Sequence, residues 1–142
     1  MRKYKLTNTV KLYHISIDPH TEDEIFTPRI PDNFASGEDV VTPRVCVSTS
    51  IRGCMRAIEM DGTFDCAWIY VPVEFGGNKI ADNIYKPTVN EVPDVVETRE
   101  KWITCPVKMK CVGFVESLGT RYDHYGRKRD KVIINFGDKY KF

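Results

Sequence analysis

Thr42 to Glu59, TPRVCVSTSIRGCMRAIE, is the stretch whose reading decides the fold. Val45-Cys46-Val47 is a short apolar run rich in β-branched residues, and three hydroxyl residues, Ser48-Thr49-Ser50, follow it directly. Beyond them Ile51, Cys54, Met55 and Ile58 recur at i, i+3, i+4 and i+7, one apolar stripe of a helix over about 51–60. The stretch therefore predicts a strand, a hydroxyl turn and a helix. One hydroxyl caps the helix by accepting a backbone N–H, and the others stand at an end that carries partial positive charge. Arg44, just before the strand, adds a full charge. These residues alone leave two meanings open: an anion site, or an ordinary capped helix packed on a sheet.

Working upstream, VKLYHISI (Val10 to Ile17) reads as a strand. Alternation puts Val10, Leu12, His14 and Ser16 on one face and Tyr13, Ile15 and Ile17 on the other. His14 thus shares a face with apolar neighbours, which fits either a core histidine with one hydrogen bond or a ligand-binding one. Asp18 to Asp39 holds Pro19, Pro28, Pro31 and Gly37, too broken for a long helix or a central strand, and is predicted as a long ordered loop. Within it Thr27-Pro28-Arg29-Ile30-Pro31 stiffens the backbone around Arg29, so that side chain loses less entropy on binding a phosphate or carboxylate. The alternative is a surface turn in which Arg29 pairs with Glu22, Asp23 or Glu24.

Downstream, Met60-Asp61-Gly62-Thr63 ends the helix, and CAWIYVPV (Cys66 to Val73) is a near-continuous apolar strand that needs an edge to accommodate Pro72. Asp94 to Trp102 carries Glu97 and Glu100, which share a face if the segment is helical and oppose each other if it is extended. Trp102 to Glu116 is the longest strand-like segment, interrupted at Pro106; Gly119 to Gly126 reads as a hairpin loop and Val132 to Phe136 as the returning strand. Strands outnumber helices, so the expected class is α+β, with a mixed or antiparallel sheet and one main helix.

The chain has 142 residues, 42% of them hydrophobic and 29% charged, which fits a single domain: a core over about 10–116 and a basic C-terminal hairpin and strand over about 117–142. A formal net charge of +1 provides no global field for nucleic acid. Five cysteines in apolar runs, with no ligand set at metal spacing, read as reduced core residues and predict no metal. No signal-type apolar region and no run near the ~20 residues of a membrane span is present, so a soluble protein of the cytoplasm is expected.

The order of three elements resembles the ADP-ribosyltransferase fold: Leu12-Tyr13-His14 on an early strand, Ser48-Thr49-Ser50 opening a helix, and Glu100 late in the chain. The pattern YHIS, PRIP, PRVCVSTSI, EVPD and E-x-W is also similar to that of small uncharacterised proteins of bacteriophages and their Gram-positive hosts, over about Tyr13 to Val115. The fold resemblance implies NAD as substrate. His14, with Tyr13 beside it, and Ser48 or Ser50 would hold the ribose, with Thr49 in the same turn, and Glu100 would stabilise the cationic sugar as nicotinamide leaves. Arg29 and Arg44 are positioned in the chain to clamp a pyrophosphate. The spacing Glu97-x-x-Glu100 differs from the Glu-x-Glu of arginine-modifying members, so arginine is not implied as the target. A host protein is the implied acceptor. A second reading keeps a phosphate-bearing nucleotide but no chemistry, sequestering a host defence signal. A third places nucleic acid on Thr120 to Lys131, TRYDHYGRKRDK, where cations interleave with rings; a solvated hairpin tip is its commoner meaning.

Overall fold

The hydroxyl turn sits where two antiparallel sheets meet. The computed structural model describes residues 2–17, 24–31, 37–57 and 66–136, with the backbone alone at 117–121 and 128–132. The first sheet is ordered β1 (Arg2–Lys3), β6 (Ile84–Lys86), β7 (Glu100–Ile103), β4 (Val45–Ser48). The second runs β2 (His14–Ser16), β5 (Cys66–Val73), β8 (Val107–Tyr122), with β3 (Glu24–Phe26) and β9 (Lys128–Phe136) both lying along the far edge of β8. Every pairing between these strands is antiparallel. Two short helices, α1 (Ile51–Ala57) and α2 (Val95–Thr98), complete an α+β protein. The sheets join at a bridge where the Tyr13 N–H donates to the Ser48 carbonyl at 2.8 Å and the Ser48 N–H returns to Tyr13 at 2.9 Å. His14, the next residue, already pairs with Tyr70 in the second sheet.

Apolar residues of both sheets form one core: Leu12, Val45, Val47, Ile84 and Ile103 meet Tyr70, Val107, Met109 and Cys111. A second cluster seats Cys54 and Met55 of α1 on Ile15, Ala67, Ile69 and Val115. One strand, β8, serves both cores because it carries a bulge: Ile69 pairs with Gly113 and Tyr70 with Cys111, leaving Val112 as the extra residue. The bulge reverses the alternation, so Met109 and Cys111 face the other sheet while Val115 faces the helix. Full burial of each such aliphatic side chain is worth about 1.5–3 kcal/mol.

Several boundaries differ from the sequence reading. The strand expected over Val10 to Ile17 is reduced to β2, because Tyr13 pairs with the other sheet. The predicted loop before the hydroxyl turn contributes β3, three residues on an edge of β8. At Pro72, β5 has β8 on one side only, since β2 ends opposite Tyr70, so the missing N–H breaks no ladder bond. The segment around Trp102 is two strands broken before Val107, and the expected long hairpin loop is a tight turn at 123–127. There the Asp123 carboxylate accepts the N–H groups of Tyr125 and Arg127, each at 2.9 Å. His20, Glu22, Asp23, residues 58–60 of the expected helix and the turn at 60–63 lie outside the described residues. No helix among the described residues is long and apolar enough to cross a membrane.

Candidate functional site

Ser50 is the hydroxyl that caps α1: its Oγ accepts the Gly53 N–H at 3.0 Å. Ser48 instead donates to the Thr98 carbonyl at 2.6 Å and accepts the Ser50 N–H at 3.2 Å, so it ties β4, the turn and α2 together. Gly53 makes this approach possible, because a Cβ there would lie 2.1 Å from the Thr98 carbonyl oxygen and 2.5 Å from Ser48 Oγ. The register of β4 on β7 then sets Ser48 directly opposite Glu100.

Glu100 is neither helical nor on a shared face with Glu97. Glu97 ends up exposed on α2, Arg99 takes a left-handed conformation with φ 53°, and Glu100 starts β7. His14, Ser48 and Glu100 line one small cavity of about 80 Å³, together with Ile15, Cys46, Val47, Cys54, Ala57 and Thr98. The Glu100 carboxylate accepts a hydrogen bond from Trp102 Nε1 at 2.7 Å. Burial raises its pKa above the usual carboxylate range, with Glu38 and Asp94 adding to the effect, while Trp102 and Arg44 oppose it. His14 Nδ1 lies 3.1 Å from the Cys46 carbonyl, an acceptor, which assigns a proton to Nδ1. The ring also stands edge-on to Phe26 at 5.1 Å. Burial pushes the Cys46 and Cys54 thiols up to about 12, so neither offers a thiolate. The Thr98 hydroxyl is buried beside the same cavity with no hydrogen-bond partner among the described residues.

The two arginines expected to face this site do not line it. Arg44 is buried, with its guanidinium 4.1 Å from the centre of the Trp102 ring, paired with Glu38 at 3.4 Å and Asp39 at 3.7 Å, and donating to the Thr42 carbonyl at 3.0 Å. With both terminal guanidinium nitrogens engaged and the side chain buried, Arg44 holds the loop before β4 onto the sheet and is not available to clamp a phosphate. Arg29 is exposed and pairs with Arg44 through backbone bonds of 3.1 and 3.0 Å in an isolated bridge.

On the other side of the hydroxyl turn lies an open cleft of about 520 Å³, lined by Tyr13, Thr49, Ser50, Ile51, Arg52, Gly53, Arg56, Glu97 and Arg99. This volume is in the range of small-molecule sites, whereas about 80 Å³ holds only a few waters. Another groove, of about 560 Å³, is bounded mainly by Leu6, Val10, Leu12, Val71, Pro72 and Phe136 and offers little polar chemistry. The sequence reading passed over Arg52, Arg56 and Arg99. Arg52 and Arg56, four apart and off the apolar stripe, carried a signal that reads equally well as a solvated helix face; Arg99 carried none.

At the C-terminal hairpin, Arg127 pairs with Asp123 at 3.1 Å and lies 5.1 Å from the Tyr125 ring, so two of the groups offered for nucleic acid are engaged with each other. No cluster of metal-binding side chains occurs among the described residues. No protein-family model, curated protein or solved structure matches the chain.

Proposed function

We propose that the protein is an ADP-ribosyltransferase-like enzyme that takes NAD as substrate and transfers ADP-ribose to a host protein in the bacterial cytoplasm. The observation that carries this reading is the convergence of His14, Ser48 and Glu100, far apart in the chain, on one cavity. In the reaction the bond between C1′ of the ribose and the nicotinamide nitrogen breaks, and nicotinamide leaves with the electron pair. The cationic C1′ is then captured by an acceptor nucleophile that gives up a proton. Glu100 would stabilise that cation from a position held by the Trp102 N–H, in surroundings made water-poor by Ile15, Val47 and Cys54. His14 and the Thr98 hydroxyl would line the space taken by the sugar. A cavity of about 80 Å³ does not admit a ribose as it stands, so productive binding requires the wall at the hydroxyl turn to move.

That size favours a second reading, in which the ligand stays in the neighbouring cleft, unreacted, and the protein sequesters a phosphate-bearing nucleotide. Glu100→Gln separates the two. For an enzyme, nicotinamide release from NAD should fall by about two to four orders of magnitude with binding little changed. No release by the parent protein, combined with tight nucleotide binding, would leave the sequestering reading alone.

A further inference from the structure

We infer that the cleft beside the hydroxyl turn binds a diphosphate group, held by Arg52 and Arg56 of α1 and by Arg99 at the end of α2. The inference rests on the nucleotide reading for the remainder of the ligand, but not for the diphosphate itself. Three arginines from two elements line one concave surface, and Glu97 is the one carboxylate-bearing residue in that lining, so the lining residues carry a net positive charge of two. None of the three arginines has an ion-pair partner among the described residues. Other arginines are treated differently by the fold: Arg44 is matched with Glu38 and Asp39, and Arg127 with Asp123. Like charges gathered without partners repel one another, and an anion of charge near −2 relieves that repulsion. Guanidinium groups are suited to the task, since each presents parallel N–H donors to two phosphate oxygens.

The position fits a nucleotide diphosphate better than an isolated phosphate. The cleft and the small cavity share the segment Ser48 to Ser50 and the segment Glu97 to Glu100 as a common wall. A diphosphate on the arginines is thereby placed one wall away from Glu100. Tyr13, immediately before His14 in the chain, lines the cleft and offers a ring to a base or sugar.

The test is calorimetric titration of the full chain with inorganic pyrophosphate, ADP and a single-stranded oligonucleotide. Pyrophosphate has no sugar, so it probes the cleft without engaging Glu100. Arg52→Gln, Arg56→Gln and Arg99→Gly should each weaken pyrophosphate and ADP binding by about tenfold. Arg99→Gly also removes a guanidinium from a left-handed position that glycine adopts freely, so lost binding there is not lost folding. Glu97→Gln, which removes the opposing charge, should tighten binding several-fold. Pyrophosphate binding of this pattern without any turnover of NAD would uphold the cleft while removing the enzymatic reading. Absence of pyrophosphate binding, or equal binding by all three arginine variants, would overturn the inference. So would an oligonucleotide that binds more tightly than ADP and depends on the same arginines.

Discussion

A single hydrogen atom in place of a side chain at Gly53 holds α1 against α2 and β4. Alanine would gain about 0.5–1 kcal/mol as a better helix residue. Its methyl would nevertheless meet the Thr98 carbonyl at 2.1 Å, and backbone yields less readily than a side chain tip. The clash should win, and Gly53→Ala should destabilise the protein by about 3 kcal/mol, read as a shift in the urea midpoint. Glu100 makes a prediction of a different kind. Burial raises its folded pKa above the ordinary 4.5, so the native state holds its proton more tightly than the unfolded chain does. Its contribution to stability is full below about pH 4.5 and is lost as pH rises through the raised value. Stability measured from pH 4 upward should therefore decline less in Glu100→Gln than in the parent; parallel curves would show that the carboxyl titrates as if exposed.

Among the elements, the strand entering the hydroxyl turn is anchored by charge as well as by apolar packing. Arg44 brings together the loop carrying Glu38 and Asp39 and the indole of Trp102. Asp39 is pushed up by burial but brought below the usual range by the N–H groups of Val41 and Thr42, the Thr42 hydroxyl and Arg44. Removing the shared cation leaves two carboxylates facing each other and uncovers a buried ring, so Arg44→Ala should cost about 3 kcal/mol. Arg29→Ala, on an exposed side chain, should change stability by no more than about 0.5 kcal/mol. Thermal and urea unfolding of the two variants checks the contrast. In the sequence these arginines look alike, each beside a proline, and local stiffness says nothing about which carboxylates the fold will bring near. The strand, turn and helix themselves were legible because hydrophobic period is a local property, and CAWIYVPV matched β5 to the residue. The bulge at Val112 and the left-handed Arg99 were not legible, since both are set by partners distant in the chain.

For the whole molecule, the joint at Tyr13 and Ser48 is where the two sheets communicate, and both candidate spaces adjoin it. A ligand spanning cavity and cleft should slow hydrogen exchange at the amides of Tyr13 and Ser48 while leaving strands remote from the joint, such as β9, unaffected. Exchange unaltered by saturating NAD or ADP would place the ligand elsewhere. The resemblance implied a shared role for His14, Ser48 and Glu100, whereas the cavity they line and its small volume depend on the register of β4 on β7, on Gly53 and on α2, which no local pattern reveals. The pairing of β4 with β7 has a last consequence, best put in genetic terms. Glu100 and Lys101 alternate across that strand, carboxylate and buried ammonium on opposite faces. An in-frame deletion of the codon just before β7, absorbed as a slip of the ladder, would bring Lys101 into the place of Glu100 opposite Ser48 and reverse the charge at the cavity without altering any residue of the strand. Selection that maintains the carboxylate there must therefore act on the length of this segment as well as on its letters.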